Sequence, residues 1–287
     1  MNIEARRTFD MGQAWSDGMA RVRSNMSLVV ILAGVFFFLP GMVLYLAMPE
    51  LMDMMMMPGG DPEAMNRAIE AAAPQFAAGL IAVLIASFVG YAALIALMGD
   101  RARLSVGESI GVGIRCLPTM IGVTILALVA YMLFALVVGV VFGLIVAGLG
   151  AVSTGLAYGV AALLGVAIFV LVLLAVSRLS MIMPVVVLER VMNPFTALRR
   201  SWSMTRTVQW RLLGFFVLFT IAYFVLAIVL FMVIGLLAAL LGSPAVMGFA
   251  NGLMGAAVAV VLSGLLVGIY RQLADQPAAP AVDPAAL

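Results

Sequence analysis

Residues 193–211 read NPFTALRRSWSMTRTVQWR. Four arginines and two tryptophans fall within nineteen positions of a 287-residue chain in which only 10% of residues are charged. Such a stretch fits a catalytic patch, a nucleic-acid surface, or a seam where protein meets lipid head groups. Its surroundings decide between them. The chain is 66% hydrophobic, with a mean hydropathy of +1.24. A soluble core takes up less apolar surface than that, and so few charges cannot cover one. The stretch is therefore read as a membrane seam, and the chain as an integral membrane protein.

Working outward from the seam, six apolar runs reach the roughly twenty residues a helix needs to cross the hydrocarbon. They lie at about 27–48, 76–98, 119–149, 156–176, 212–241 and 245–270. The third and fifth exceed one span and must tilt, bend or extend past the head groups. Gly139, Gly143, Gly148 and Gly150 are the expected bending points in the third. The first run is read as a retained anchor, because it is long and no A-x-A-like cleavage site follows it. Residues 1–273 thus form one six-span all-α domain, and the Pro/Ala-rich tail 274–287 is expected to be disordered.

All fifteen basic residues are arginine. Arg6, Arg7, Arg21 and Arg23 precede the first span, and Arg101, Arg103 and Arg115 lie between the second and third. Arg178, Arg190, Arg199, Arg200, Arg206 and Arg211 lie between the fourth and fifth, and Arg271 follows the sixth. Only Arg67 falls on the other side, so the positive-inside rule places both termini in the cytoplasm, with the inner membrane of a bacterium as the expected location. Basic residues distributed in this way meet an anionic bilayer surface rather than nucleic acid.

Each arginine-bearing segment that leads into an outgoing span opens on a helix-capping residue: Asp10, Ser105 and Asn193. The spacings are 95 and 88 residues. The pattern predicts three copies of an amphipathic interfacial helix followed by a transmembrane hairpin. In the third copy Phe195, Leu198, Trp202, Thr205 and Val208 share one half of the helical wheel. Arg199, Arg200 and Arg206 share the other, with Trp210 near the boundary. Arg199, Arg200, Trp202, Arg206, Trp210 and Arg211 are accordingly expected to meet the membrane surface and lipid head groups.

No catalytic or cofactor site is expected. The chain has no histidine and one cysteine, which removes the commonest general acid/base, the usual proton shuttle, disulfides and thiolate metal clusters. Cys116 is read as a small buried apolar residue. The Met-rich segment 50–65 would suit Cu(I), but nothing completes a soft site there, and Met54–Met57 are read as flexible filler at the interface. No Asp, Glu, His or Arg stands near mid-membrane, which argues against proton-coupled transport and embedded proteolysis. Ser87, Tyr91, Thr124, Tyr131, Thr220, Tyr223, Asn251 and Ser263 are expected to bond between helices. Small residues in spans two, three and six mark close helix approaches, within one chain or between copies.

The segment SRLSMIMPVVVLERVMNPFTALRRSWSMTRTVQWRLLGFF resembles the bacterial glycerophosphoryl diester phosphodiesterase membrane domain and related six-span proteins. Arg178, Pro184, Glu189, Ala197, Leu198, Ser201, Trp202, Thr205, Trp210 and Arg211 carry the likeness, and Thr207 stands where a glycine is common. The resemblance implies a membrane part that accompanies an enzyme or presents lipid. The catalytic domains to which such modules are attached use histidines and metal-binding carboxylates, which this chain does not offer. The expected function is a non-catalytic membrane module that binds lipid or supports a lipid-metabolising or other membrane protein. The other reading is an uncoupled transporter or channel, which needs a polar cavity between the repeats.

Overall fold

The structure, a computed structural model, describes residues 9–47, 62–99, 104–150, 153–241 and 244–274. The described residues are helical with no strand. In chain order they form α1 (Met11–Ser24) and α2 (Met26–Ala33), then a π-helical turn (Gly34–Phe38) and α3 (Leu39–Ala47). Next come α4 (Pro62–Gly99), α5 (Val106–Gly150), α6 (Thr154–Leu179) and α7 (Ile182–Leu188). The last are α8 (Pro194–Thr205), α9 (Gln209–Leu241) and α10 (Pro244–Ala274). Six stretches are long and apolar enough to cross a membrane: Met26–Leu44, Ala77–Gly99, Val106–Gly150, Thr154–Leu188, Gln209–Ala238 and Ala245–Ala274. The chain is a multi-pass membrane protein.

Three elements differ from the sequence expectation. The helix of the second span begins well before the apolar run at 76, because residues 62–75 are continuous with it as α4. Its Ala-rich turns favour helix strongly enough to run through Pro74, which removes only one backbone donor. The helix opening at Ser105 likewise runs unbroken into span three as the 45-residue α5, through Pro118, Gly139, Gly143 and Gly148. At 1.5 Å per residue, α5 is about 67 Å long, roughly twice the hydrocarbon thickness. The first and third copies do break, at Asn25 and at 206–208. The second contains no such stop. Span four is also longer than its apolar run suggested, because α7 extends it to Leu188 after a turn at 180–181. Residues 50–61 of the Met-rich segment and the tail 275–287 lie outside the described residues.

The core gathers around the end of α4. Ala92–Met98 are buried without interruption, as expected of a helix apolar on every face. Val29, Leu32 and Phe37 of span one pack there, as do Met120 of α5, Val185–Val187 of α7 and Ala259 and Val267 of α10. A second cluster joins Phe9 and Ala14 to Met181, Leu212, Phe215, Leu265 and Ile269. Glycine sets the closest approach. A Cβ on Gly268 would stand 2.3 Å from the Ala14 carbonyl oxygen, and one on Gly18 would stand 2.6 Å from that of Gly264. These positions let α1 lie directly on α10. Gly252 similarly meets the Phe38 backbone, whereas Gly139 and Gly143 have no neighbour within 4 Å.

Candidate functional site

Arginines organise one end of this bundle, and most of those with described contacts bind protein. The last carbonyls of α4 have no partner within their own helix. The Arg21 guanidinium donates to the Met98 carbonyl at 3.0 Å, and Arg271 donates to Gly99. Cations also suit the negative end of a helix dipole. Burial, and then repulsion by Arg271, lower the Arg21 pKa from its ordinary value, with Asp17 opposing. Arg211 reaches the Phe9 carbonyl at 3.5 Å.

The capping residues sit at helix starts. Asp10 accepts from the Gln13 N–H at 3.0 Å, and Asn193 accepts from Phe195 and Thr196. Ser105 makes a reciprocal pair with Glu108. The Glu108 N–H donates to the Ser105 hydroxyl at 3.3 Å, and the Ser105 N–H donates to the Glu108 carboxylate at 2.8 Å. This capping box was legible as S-V-G-E.

α8 packs through a stripe of small residues at every fourth position: Ala197, Ser201 and Thr205 are all fully buried. The Ser201 hydroxyl donates to the Arg178 carbonyl at 2.7 Å, and Thr205 adds a longer bond at 3.3 Å. Both thereby satisfy the end of α6. The Arg178 side chain turns the other way. Its Nε donates to Gln209 at 2.8 Å, and its guanidinium lies 4.5 Å from the Trp202 ring centroid. Upstream, Thr119 donates to the Met192 carbonyl at 2.8 Å and holds the loop that enters α8. Glu189 accepts from Arg200 at 3.1 Å and from the Tyr270 hydroxyl at 3.1 Å. Arg190 follows with φ 55, the left-handed conformation common just beyond a helix end.

The wheel drawn from sequence therefore splits. Thr205 and Val208 face protein, whereas Phe195 and Trp202 are 66% and 46% exposed. Of the expected head-group contacts, Arg199, Trp202 and Arg206 come together, lining an open cleft of about 750 Å³ with Arg178, Ser203 and Thr207. Arg200 points instead to Glu189. Trp210 and Arg211 stand on α9, outside the cleft, with Trp210 exposed. Sequence reading missed Ser203 and Thr207, although Arg199, Ser203 and Thr207 follow a four-residue helical spacing. It also missed Gln209, which nothing local to its position marks. Arg199 and Arg206 are exposed and make no hydrogen bond or ion pair within the described residues.

Such a cleft can hold an anion between two guanidinium groups beside an indole ring and a hydroxyl. Among the described residues no three His, Cys, Asp or Glu side chains converge as a metal site would need. Cys116 is buried. Of the polar groups within the spans, Thr124 bonds to the Met120 carbonyl of its own helix, and the Ser263 hydroxyl has no partner among the described residues. The chain matches no protein-family model, no curated protein and no solved structure.

Proposed function

We propose that this protein is a non-catalytic membrane module that holds an anionic phospholipid head group in the α8 cleft. One observation carries the reading: Arg199 and Arg206 flank Trp202 on an exposed face, free of protein partners among the described residues, while the neighbouring Arg178 and Arg200 are engaged. Guanidinium groups match phosphate oxygens geometrically, and an exposed indole suits the head-group layer. Two such arginines contribute about 2 kcal/mol at an anionic surface, roughly a thirtyfold preference over a neutral one.

The positive-inside distribution supports an orientation with this end in the cytoplasm of a bacterial cell and both termini on that side. The breaks after α1 and α8 support interfacial helices in the first and third of three repeated hairpins. The likeness of the 178–211 segment to the glycerophosphoryl diester phosphodiesterase membrane domain supports a place in envelope lipid metabolism, with the module presenting lipid to a partner enzyme.

The test is native mass spectrometry of protein extracted in mild detergent and exposed to equal phosphatidylglycerol and phosphatidylcholine. Wild type is expected to retain phosphatidylglycerol selectively, and R199Q/R206Q to lose that selectivity. Equal retention of both lipids by wild type would refute the proposal. A stoichiometric protein that co-purifies with wild type would identify the partner.

A further inference from the structure

A second concave surface lies on another face of the bundle and shares no residue with the α8 cleft. It is a groove of about 550 Å³ between α9 and α10, bordered at the Arg211 end by Met11, Gly12 and Trp15 of α1. Tyr223 supplies the only side-chain hydroxyl of its lining. Along α9 the groove runs from Phe215 to Leu226, and along α10 from Val261 to Met254. The eleven helical rises from Phe215 to Leu226 cover about 16 Å, close to the roughly 15 Å of hydrocarbon in one leaflet. One α-helical turn before Phe215 stands Arg211, exposed and in contact with the Phe9 carbonyl. The groove therefore starts at the arginine level and ends near mid-bilayer.

We infer that this groove is a resident phospholipid site, holding one acyl chain of a zwitterionic glycerophospholipid. Its direction and depth fit a chain that enters from the interface, and its lining offers almost nothing to a polar ligand. The mouth supplies the head-group chemistry. Arg211, which meets the Phe9 carbonyl, can receive the phosphate, and the Asp10 carboxylate, at the start of α1 and 3.4 Å from where a Cβ on the groove residue Gly12 would stand, can receive the ammonium group. This pairing of charges fits phosphatidylethanolamine better than a purely anionic lipid, unlike the α8 cleft. The two sites are independent, and failure of one leaves the other standing.

Trp15 lines the groove, which makes occupancy readable by fluorescence. The full chain carrying W202F/W210F keeps Trp15 as its only tryptophan and can be placed in phosphatidylcholine nanodiscs. A minor fraction of phosphatidylethanolamine, brominated near the carboxyl end of its acyl chain, serves as the probe. Trp15 quenching is expected to exceed by severalfold that given by the same fraction of brominated phosphatidylcholine, and excess unbrominated phosphatidylethanolamine should reverse it. Filling the groove with A222F/A257F should bring quenching down to the phosphatidylcholine level. Where that variant does not fold, the competition arm decides alone. Equal quenching by the two lipids, or no reversal by competitor, means only annular lipid passes Trp15 and overturns the proposal. Stronger quenching by brominated phosphatidylglycerol overturns the zwitterionic assignment.

Discussion

Spans one, two and six differ from spans three, four and five in what surrounds them. In the most apolar stretch of each, 22%, 44% and 61% of residues are buried in the first group, against 0% in each of the second. Mean hydropathy does not explain this, since it runs from 2.3 to 2.6 in the first group and from 2.9 to 3.0 in the second. The less apolar spans are the packed ones. Lipid is as apolar as leucine, so association within a bilayer depends on close packing and polar bonds rather than on hydrophobicity. The first group has the glycines that admit α1 and α3 onto α10, and the arginines that satisfy the end of α4. The second presents Leu136, Leu144, Leu163, Phe169, Met232 and Leu240 outward.

The largest test of that contrast compares two glycines. Gly268→Leu drives a side chain into the Ala14 carbonyl and is expected to lower stability by about 3 kcal/mol or more. Gly143→Leu meets open space and should stay within about 0.5 kcal/mol of wild type. Thermal unfolding in detergent, followed by size-exclusion fluorescence, checks both. Equal losses at the two positions would erase the distinction between the groups.

A smaller effect is expected from the arginines at the end of α4. R21Q/R271Q leaves the Met98 and Gly99 carbonyls without their charged donors, at a cost of about 1–3 kcal/mol for each bond lost. Hydrogen exchange should then rise in the last turns of α4 while the centre of α9 is unchanged. Next in size is Ser201→Ala. It removes the 2.7 Å bond to the Arg178 carbonyl but leaves Thr205 as a partial substitute, so about 1 kcal/mol is expected by the same unfolding assay. The smallest effect is a gain. Arg190→Gly relieves a left-handed backbone but adds unfolded-state entropy, and should stabilise by about 0.5 kcal/mol, provided the Glu189–Arg200 pair next to it is kept.

The sequence reading was strongest where the physics is local. Apolar runs of span length, capping residues and arginine-bearing segments each depend on neighbours a few residues apart, and they were readable. The uninterrupted α5 was not, because Pro118 resembles a stop and only the packing of Thr119 and Met120 against the core shows that it is none. The face of α8 was misjudged for a related reason. A hydrophobic wheel ranks Trp202 above Ser201, yet Ser201 is buried, because its small side chain lets α8 approach α6 closely while its hydroxyl donates to the Arg178 carbonyl, and an indole is too large for that contact. Arg178, Ala197, Ser201, Trp202 and Thr205 converge on this contact, and Glu189 holds Arg200 beside it. Most of these side chains therefore hold α8 in place, and its exposed edge is what the proposed lipid site uses. The separation of Arg199 and Arg206 from Arg200 was not legible, because all three lie on one basic, amphipathic stretch.

Some arginines hold helices together, and others face outward, where we propose that they hold lipid. Thermal unfolding with and without added phosphatidylglycerol tests this division most directly, on wild type, R199Q/R206Q and R21Q/R271Q. The account predicts that R199Q/R206Q melts with wild type in neutral detergent but loses the rise that phosphatidylglycerol gives. It predicts that R21Q/R271Q melts lower in both conditions and keeps that rise. If R199Q/R206Q is destabilised in neutral detergent, or still gains the full stabilisation from phosphatidylglycerol, the division of roles is contradicted.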